Sequence, residues 1–365
     1  MKKQYYFLKL NLGYIFVLLI FAGCSTTFLK VENEEKLKKY DEFENFVQIS
    51  PPVTTETAPV ENQETPSTQQ PVGTSKTNNA KTKTATSKKA AVLREKKKSR
   101  AQIVVTHDSE SSSFKRQPEF EDDTGFSGRR PLVDPFRVGE EVVHDVRYFK
   151  VHAGTIKFKV EPFVQVNQRK AYAFAYEIET SSLFSNFYSV QDRAVVLVDF
   201  LELIPRVFTL HVKESAQLRE ARSFFDFEKL KATYWEKKYT KKNGHEEKKE
   251  EWDILEYSQN VFSAAFYMRT FQWKVGKEIA FRVSENKENL VFKGKCIRRE
   301  TLDTDAGTFD AVVIKPEIEL QGKFKPVGDI FIWLSNDDRK YILRIESSIK
   351  IGTLVSQVTK LTPGN

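Results

Sequence analysis

The side chains able to do chemistry are few, and their spacing excludes more than it offers. The chain has 2 cysteines and 5 histidines in 365 residues. His107, His144, His152, His211 and His245 include no pair at metal-ligand spacing. His107 lies in a polar stretch and His245 follows a turn, where an imidazole is solvated. His144 and His211 fall within alternating apolar runs, where a hydrogen-bonded structural role is expected. Asp337-Asp338 could hold a cation, but with Asn336 the pair is better explained by a turn. No nucleophile elbow, phosphate loop or dinucleotide fingerprint occurs. The reading is a non-enzyme with no catalytic residues, no metal site and no cofactor.

Cys24 stands apart because of what precedes it. Lys2 and Lys3 form a basic start. Leu12, Ile15, Phe16, Val17, Leu18, Leu19 and Ile20 form an apolar run, and small residues follow. Those are the three parts of an export signal, here residues 1–23. The run falls short of the ~20 residues that span a bilayer. Phe21-Ala22-Gly23-Cys24 resembles the lipobox of bacterial lipoproteins, with Phe21 where Leu is usual. The resemblance implies a diacylglyceryl group on the Cys24 thiol and palmitate-type acylation, hence a membrane partner. Two acyl chains anchor stably where one binds marginally, each buried methylene contributing ~0.8 kcal/mol. Ser25, where an Asp would retain the protein in the inner membrane, implies an outer-membrane lipoprotein facing the periplasm; inner-membrane and surface locations stay open. Cys296 is left without a disulfide partner, in the strand-like run Leu290–Ile297, and reads as a buried structural thiol.

The elements that must carry these residues differ along the chain. In residues 24–49, Leu37, Tyr40, Phe43 and Val47 recur at helical spacing among charges, predicting a short amphipathic helix. It could lie on the membrane, pack on the folded domain, or pack on nothing; its acidic residues disfavour anionic lipid. Residues 50–130 are rich in Pro, Thr, Ser and Lys and poor in large apolar side chains, predicting a disordered linker. As a coil, ~80 residues span roughly 50 Å, enough to let a domain work away from its membrane. Within residues 76–100, ten Lys and Arg face only Glu95, so the chain's net charge of +8 is mostly a property of this block. An anionic envelope surface is a candidate partner for it, a solvated spacer the alternative. Nucleic acid is a poor partner for an exported protein.

From 131 to 365 apolar residues alternate with period two. Val142/His144/Val146/Tyr148, Tyr172/Phe174/Tyr176/Ile178 and Ile330/Ile332/Leu334 are examples. Asn243-Gly244 predicts a hairpin, and a turn is expected at His152-Ala153-Gly154. A short helix is expected at 261–270, with Val261, Ala264, Ala265 and Met268 on one stripe. The fold class is mainly β: an antiparallel, strongly curved or barrel-like sheet of about 12–15 strands. Two halves look alike. Phe136-Arg-Val-Gly139-Glu-Glu-Val matches Trp273-Lys-Val-Gly276-Lys-Glu-Ile, and Ala153-Gly154-Thr155 matches Ala306-Gly307-Thr308. Gly139, Gly154, Gly276 and Gly307 are therefore the expected structural turns.

Val138-Gly-Glu-Glu141, Phe262-Ser-Ala-Ala-Phe-Tyr-Met-Arg269, Ala306-Gly-Thr-Phe309 and Ile332-Trp-Leu-Ser-Asn-Asp-Asp338 together resemble an exported bacterial family, domain of unknown function 3108, over roughly 133–361. The resemblance implies export and a β-rich fold, and brings no catalytic residue. The function expected is a binding module for an apolar ligand or an envelope component. The alternative is a structural or assembly factor docking a protein partner by a sheet edge. An open apolar interior would favour the first, a filled core with a bare edge the second.

Overall fold

The computed structural model describes residues 28–31, 34–51, 133–320, 323–326, 330–348 and 352–365. Cys24, the export signal and the basic block lie outside them. Helices α1 (Glu35–Lys38) and α2 (Asp41–Phe46) precede the two-residue strand β1 (Ile49–Ser50). Next come β2 (Glu140–Tyr148), β3 (Val151–Val166), β4 (Arg169–Thr180) and the short α3 (Ser182–Ser185). β5 (Val190–Asp199), β6 (Pro205–Glu214), β7 (Gln217–Asp226), β8 (Lys231–Thr240) and β9 (Gly244–Asp253) continue the meander. Helix α4 (Val261–Tyr267) and a 3-10 turn (Met268–Thr270) lead to β10 (Glu278–Glu285), β11 (Glu288–Thr304) and β12 (Gly307–Leu320). β13 (Lys323–Pro326), β14 (Ile330–Ser335), β15 (Ile342–Ser348) and β16 (Thr353–Pro363) follow.

All sixteen strands join one antiparallel sheet, in the order β10-β11-β12-β14-β15-β16-β2-β3-β4-β5-β6-β7-β8-β9, with β1 on β3 and β13 on β12. Fifteen of them lie within 131–365, as the turn spacing led one to expect; the sixteenth, β1, comes from the N-terminal segment. Hairpin connections put the turns β2–β3, β4–β5, β6–β7 and β8–β9 at one end of the sheet, here the near end. The turns β3–β4, β5–β6 and β7–β8 form the far end.

The sheet curls around α4. Phe266 stacks on Phe174 of β4 at 4.0 Å, while its neighbour Tyr267 meets Phe281 of β10 at 5.1 Å. Those strands stand eight places apart in the sheet, so one helix touches both only if the sheet wraps it. The Asn260–Ser263 capping box starts α4. The buried face is not the expected stripe: Ser263, Phe266, Tyr267 and Met268 are buried, whereas Val261, Ala264 and Ala265 are half-buried. The sheet path ends at β10 and β9 with no ladder between them. Side chains link the two instead: Trp252 Nε1 donates to Ser284 Oγ at 2.8 Å, and Lys287 pairs with Glu250.

The outer face explains the N-terminal segment. Ala171, Ala173, Leu197, Val207 and Trp235 point outward and bury Tyr40, Phe43 and Val47. Leu29 and Leu37 pack on Leu218. The expected single helix is two short ones, because Lys39 between them is extended. The segment enters at the near end, where Leu29 N–H donates to Glu214 O at 3.1 Å. It leaves at the far end, where Ile49 and Ser50 pair with Val166 and Gln165. Residues 28–51 are thus a strap on the β domain. Of the placements left open for the amphipathic segment, packing on the folded domain is the one observed.

Gly139 and Gly276 occupy equivalent turns. Their φ angles are +85° and +86°, and each N–H donates at 2.8 Å to the strand paired with the one it opens, at Val160 O and Cys296 O. Glu141 faces Lys159 as Glu278 faces Lys295. Phe136 and Trp273 before them, and Val142 and Ile279 after them, are all buried. The second pairing fails. Gly307, at φ +124°, is the first residue of β12, just after the turn, whereas Gly154 lies inside β3 and is no turn. Gly154 is needed for another reason: a Cβ there would sit 2.4 Å from Glu179 O of β4. The turn expected at 152–154 is instead Phe149-Lys150, both at positive φ, a conformation usually taken by Asn or Gly.

Candidate functional site

Two polar arrangements stand out against this apolar frame. The first is a buried ionic hub at the far end of β2. Arg269 is the middle residue of the 3-10 turn after α4 and is 2% exposed; Glu140 opens β2 and is 1% exposed. Arg269 donates from Nη1 to Glu140 Oε1 at 2.6 Å and from Nη2 to Oε2 at 3.0 Å. Its Nε and Nη2 also donate to Arg339 O, at 3.1 and 2.9 Å. Arg339, from the β14–β15 turn, donates to Glu140 Oε2 at 2.9 Å, to Pro135 O at 2.8 Å and to Pro363 O. Phe136, Phe266 and Tyr341 hold their rings 5.3–5.5 Å from the Arg269 guanidinium. A charge this deep persists only when paired and hydrogen-bonded throughout. With those donors engaged and water excluded, the hub is a lock. It ties the start of β2, helix α4, the β14–β15 turn and the end of β16 together.

Sequence reasoning quoted all three stretches but missed the hub. Glu140, Arg269 and Arg339 sit in or directly beside the motifs Val138–Glu141, Phe262–Arg269 and Ile332–Asp338. The available signal was Arg269 at the end of an otherwise apolar helix, since a buried arginine requires a partner.

The second arrangement lines the inner wall near the near end. Asp192 of β5 and Glu214 of β6 face inward, each 5% exposed. Glu214 Oε2 accepts from Tyr188 Oη at 2.6 Å and from Gln217 Nε2 at 2.7 Å. Asp192 Oδ1 accepts from Lys213 N–H at 3.0 Å, while Oδ2 has no hydrogen-bond partner. Burial, and then the charge of Glu214, push the Asp192 carboxyl up to about 7. Arg219 and Glu236 pair beside it at 3.6 Å.

The remaining expected groups are structural. His144 is fully buried between Ser356 Oγ at 2.9 Å and Ile342 O at 2.8 Å, and burial holds its pKa down to about 4. Cys296 is buried in β11, and burial raises its thiol. Asp337 Oδ1 accepts from Ser335 Oγ and from the N–H groups of Arg339 and Lys340, which is a turn. Among the described residues, no cluster of three or more His, Cys, Asp and Glu could hold a metal ion, and no helix is long and apolar enough to cross a membrane. Phe174, Phe266, Tyr176 and Phe136 fill the interior around α4. A void of about 10 Å³ lined by Phe136, Phe174, Gln259 and Tyr267 is at the lower limit for one water. The free edge β9 carries Glu246, Glu247, Lys248, Lys249, Glu250, Glu251 and Asp253, the kind of charge that blocks strand addition.

The family model for DUF3108, protein of unknown function, matches residues 143–359. The chain belongs to this family. The DUF3108 match runs from β2 to β16 and so takes in α4 and the β14–β15 turn, while the strap lies outside it. Among curated proteins no relative matches. Solved structures similar at low identity include the following three. A β-barrel-like protein of domain of unknown function DUF1849 from Brucella abortus aligns with TM-score 0.39 and 8% identity, over 61% of this chain and 96% of that one. A protein described as exported, with a YmcC-like fold, from Bacteroides fragilis aligns at 0.29 and 10%, over 63% and 98%. A protein from Parabacteroides distasonis described as a lipoprotein aligns at 0.28 and 11%, over 64% and 99%.

Proposed function

We propose that this DUF3108 protein is a lipid-anchored cell-envelope protein whose β domain is a docking module for an envelope component bound on its outside. The observation that carries the reading is the occupied interior: α4 and its aromatic contacts take the space an enclosed apolar ligand would need. The charged β9 edge disfavours docking by strand addition. The lipobox at Cys24 supports envelope localisation, and Ser25 supports the outer membrane with the domain in the periplasm. No catalytic role is assigned. The test is mass spectrometry of the protein purified natively from membranes. Diacylglyceryl-Cys24 and a macromolecular companion are expected. A stoichiometric small apolar molecule, released only when the β domain unfolds, would overturn the reading.

A further inference from the structure

The strap fixes how the domain meets its membrane. Phe28 lies four residue steps after Cys24. Fully extended they reach about 14 Å. Phe28 lies under Lys213, with the ammonium 5.7 Å from the ring centroid, and Leu29 is bonded to Glu214. Both contacts are at the near end. A ten-residue strand is about 33 Å long, so the far end is beyond such a leash.

The near end also has the composition of an interfacial surface. Phe149 in the β2–β3 turn is 59% exposed, and Leu183 and Phe187 in the β4–β5 loop are 54% and 64% exposed. The two loops adjoin: Ser181 Oγ donates to His152 O at 2.9 Å. Four of the connections at this end are residues 149–150, 181–189, 215–216 and 241–243. They contain Lys150, Lys241 and Lys242 and no acidic residue. Far-end turns carry Glu202 and Glu228 beside a single lysine, Lys229. Leu201 is exposed there too, but no anchor reaches it.

We propose that the near end of the sheet rests on the bilayer that holds Cys24, with Phe149, Leu183 and Phe187 entering the headgroup boundary and the lysines at anionic lipid. This deepens the docking reading and rests on the lipobox. Apolar side chains rimmed by basic ones bind such interfaces, and a covalent lipid supplies the complementary anchor. The domain therefore stands against its membrane.

The test uses the natively lipidated protein in phosphatidylethanolamine–phosphatidylglycerol vesicles containing nitroxide lipids. A fluorophore is placed at Phe187→Cys or at Leu201→Cys; Cys296 is buried and does not compete. Quenching at 187 several-fold above that at 201 is expected. Equal quenching at both sites, or none at 187, overturns the orientation; the latter is the result if a protein partner covers the rim. Mass spectrometry of the same sample separates the two readings, because absence of the lipid on Cys24 overturns the anchor itself.

Discussion

Arg269→Met tests whether the ionic hub holds the sheet around α4. The substitution removes both charge-assisted bonds to Glu140 and leaves that carboxylate 1% exposed with Arg339 as its remaining ionic partner. It also removes the donors bonded to Pro135 O and Arg339 O. Breaking one partner of a buried pair costs about 3–5 kcal/mol, chiefly through the charge left behind. At a urea m-value of about 2–3 kcal/mol/M, the unfolding midpoint should fall by roughly 1–2 M. The paired replacement Glu140→Leu with Arg269→Met removes the stranded charge, and Arg339, 21% exposed at its side chain, can turn to water. The double variant should therefore recover much of the loss, a coupling of at least about 1 kcal/mol. Urea denaturation of the unlipidated chain followed by tryptophan fluorescence reads wild type, Arg269→Met, Glu140→Leu and the double variant. An Arg269→Met variant within about 1 kcal/mol of wild type, or singles that simply add in the double, would refute the hub as the lock.

Three further outcomes are expected. A protease site inserted in the 52–132 segment of the lipidated protein, once cut, should leave the β domain on vesicles, held by the strap; adding Phe43→Asp and Tyr40→Asp should release it, and release without those changes would exclude the strap. Gly139→Val and Gly276→Val should each destabilise by more than about 1 kcal/mol, because both sit at positive φ; Gly154→Ala should also destabilise, because its Cβ meets the Glu179 carbonyl, and thermal melts of the three variants check this. His144, neutral when folded at a pKa of about 4 and protonated near 6.5 when unfolded, gives stability that is lost as pH falls below 6.5. The loss should reach about 2 kcal/mol between pH 7 and 5, read as the difference from His144→Gln, since Asp192, raised to about 7, slopes the other way. Parallel pH profiles for wild type and His144→Gln would contradict the burial of a neutral imidazole.

The architecture was legible wherever burial acts through period-two alternation. Tyr172, Phe174 and Tyr176 point inward and Ala171 and Ala173 outward, as the stripe required. The repeat was legible at Gly139 and Gly276 because a positive φ selects glycine and an aromatic anchor precedes each. It misled at Gly154, where glycine answers to a neighbouring strand's carbonyl, a requirement set in three dimensions. The Phe149-Lys150 turn was hidden because its residues lack the usual turn chemistry. The hub was hidden because its three members lie 70 to 199 positions apart; only the fold brings them together. Likewise, the helical spacing of Leu37, Tyr40, Phe43 and Val47 showed that one face is buried, but not against what.

That last ambiguity changes the meaning of the basic block. Read from composition, residues 50–130 separate an anchor from a domain. With the strap on the sheet, both ends of the segment are on the domain: Ser50 pairs with Gln165, and Tyr172 Oη donates to Asp134 at 2.8 Å. Both attachments are toward the far end, away from Leu29. A loop of this kind tolerates its length, since doubling it adds only about 0.6 kcal/mol of closure cost. Nor does its charge report on the folded surface, because Lys76 to Arg100 hold ten positive charges against one negative.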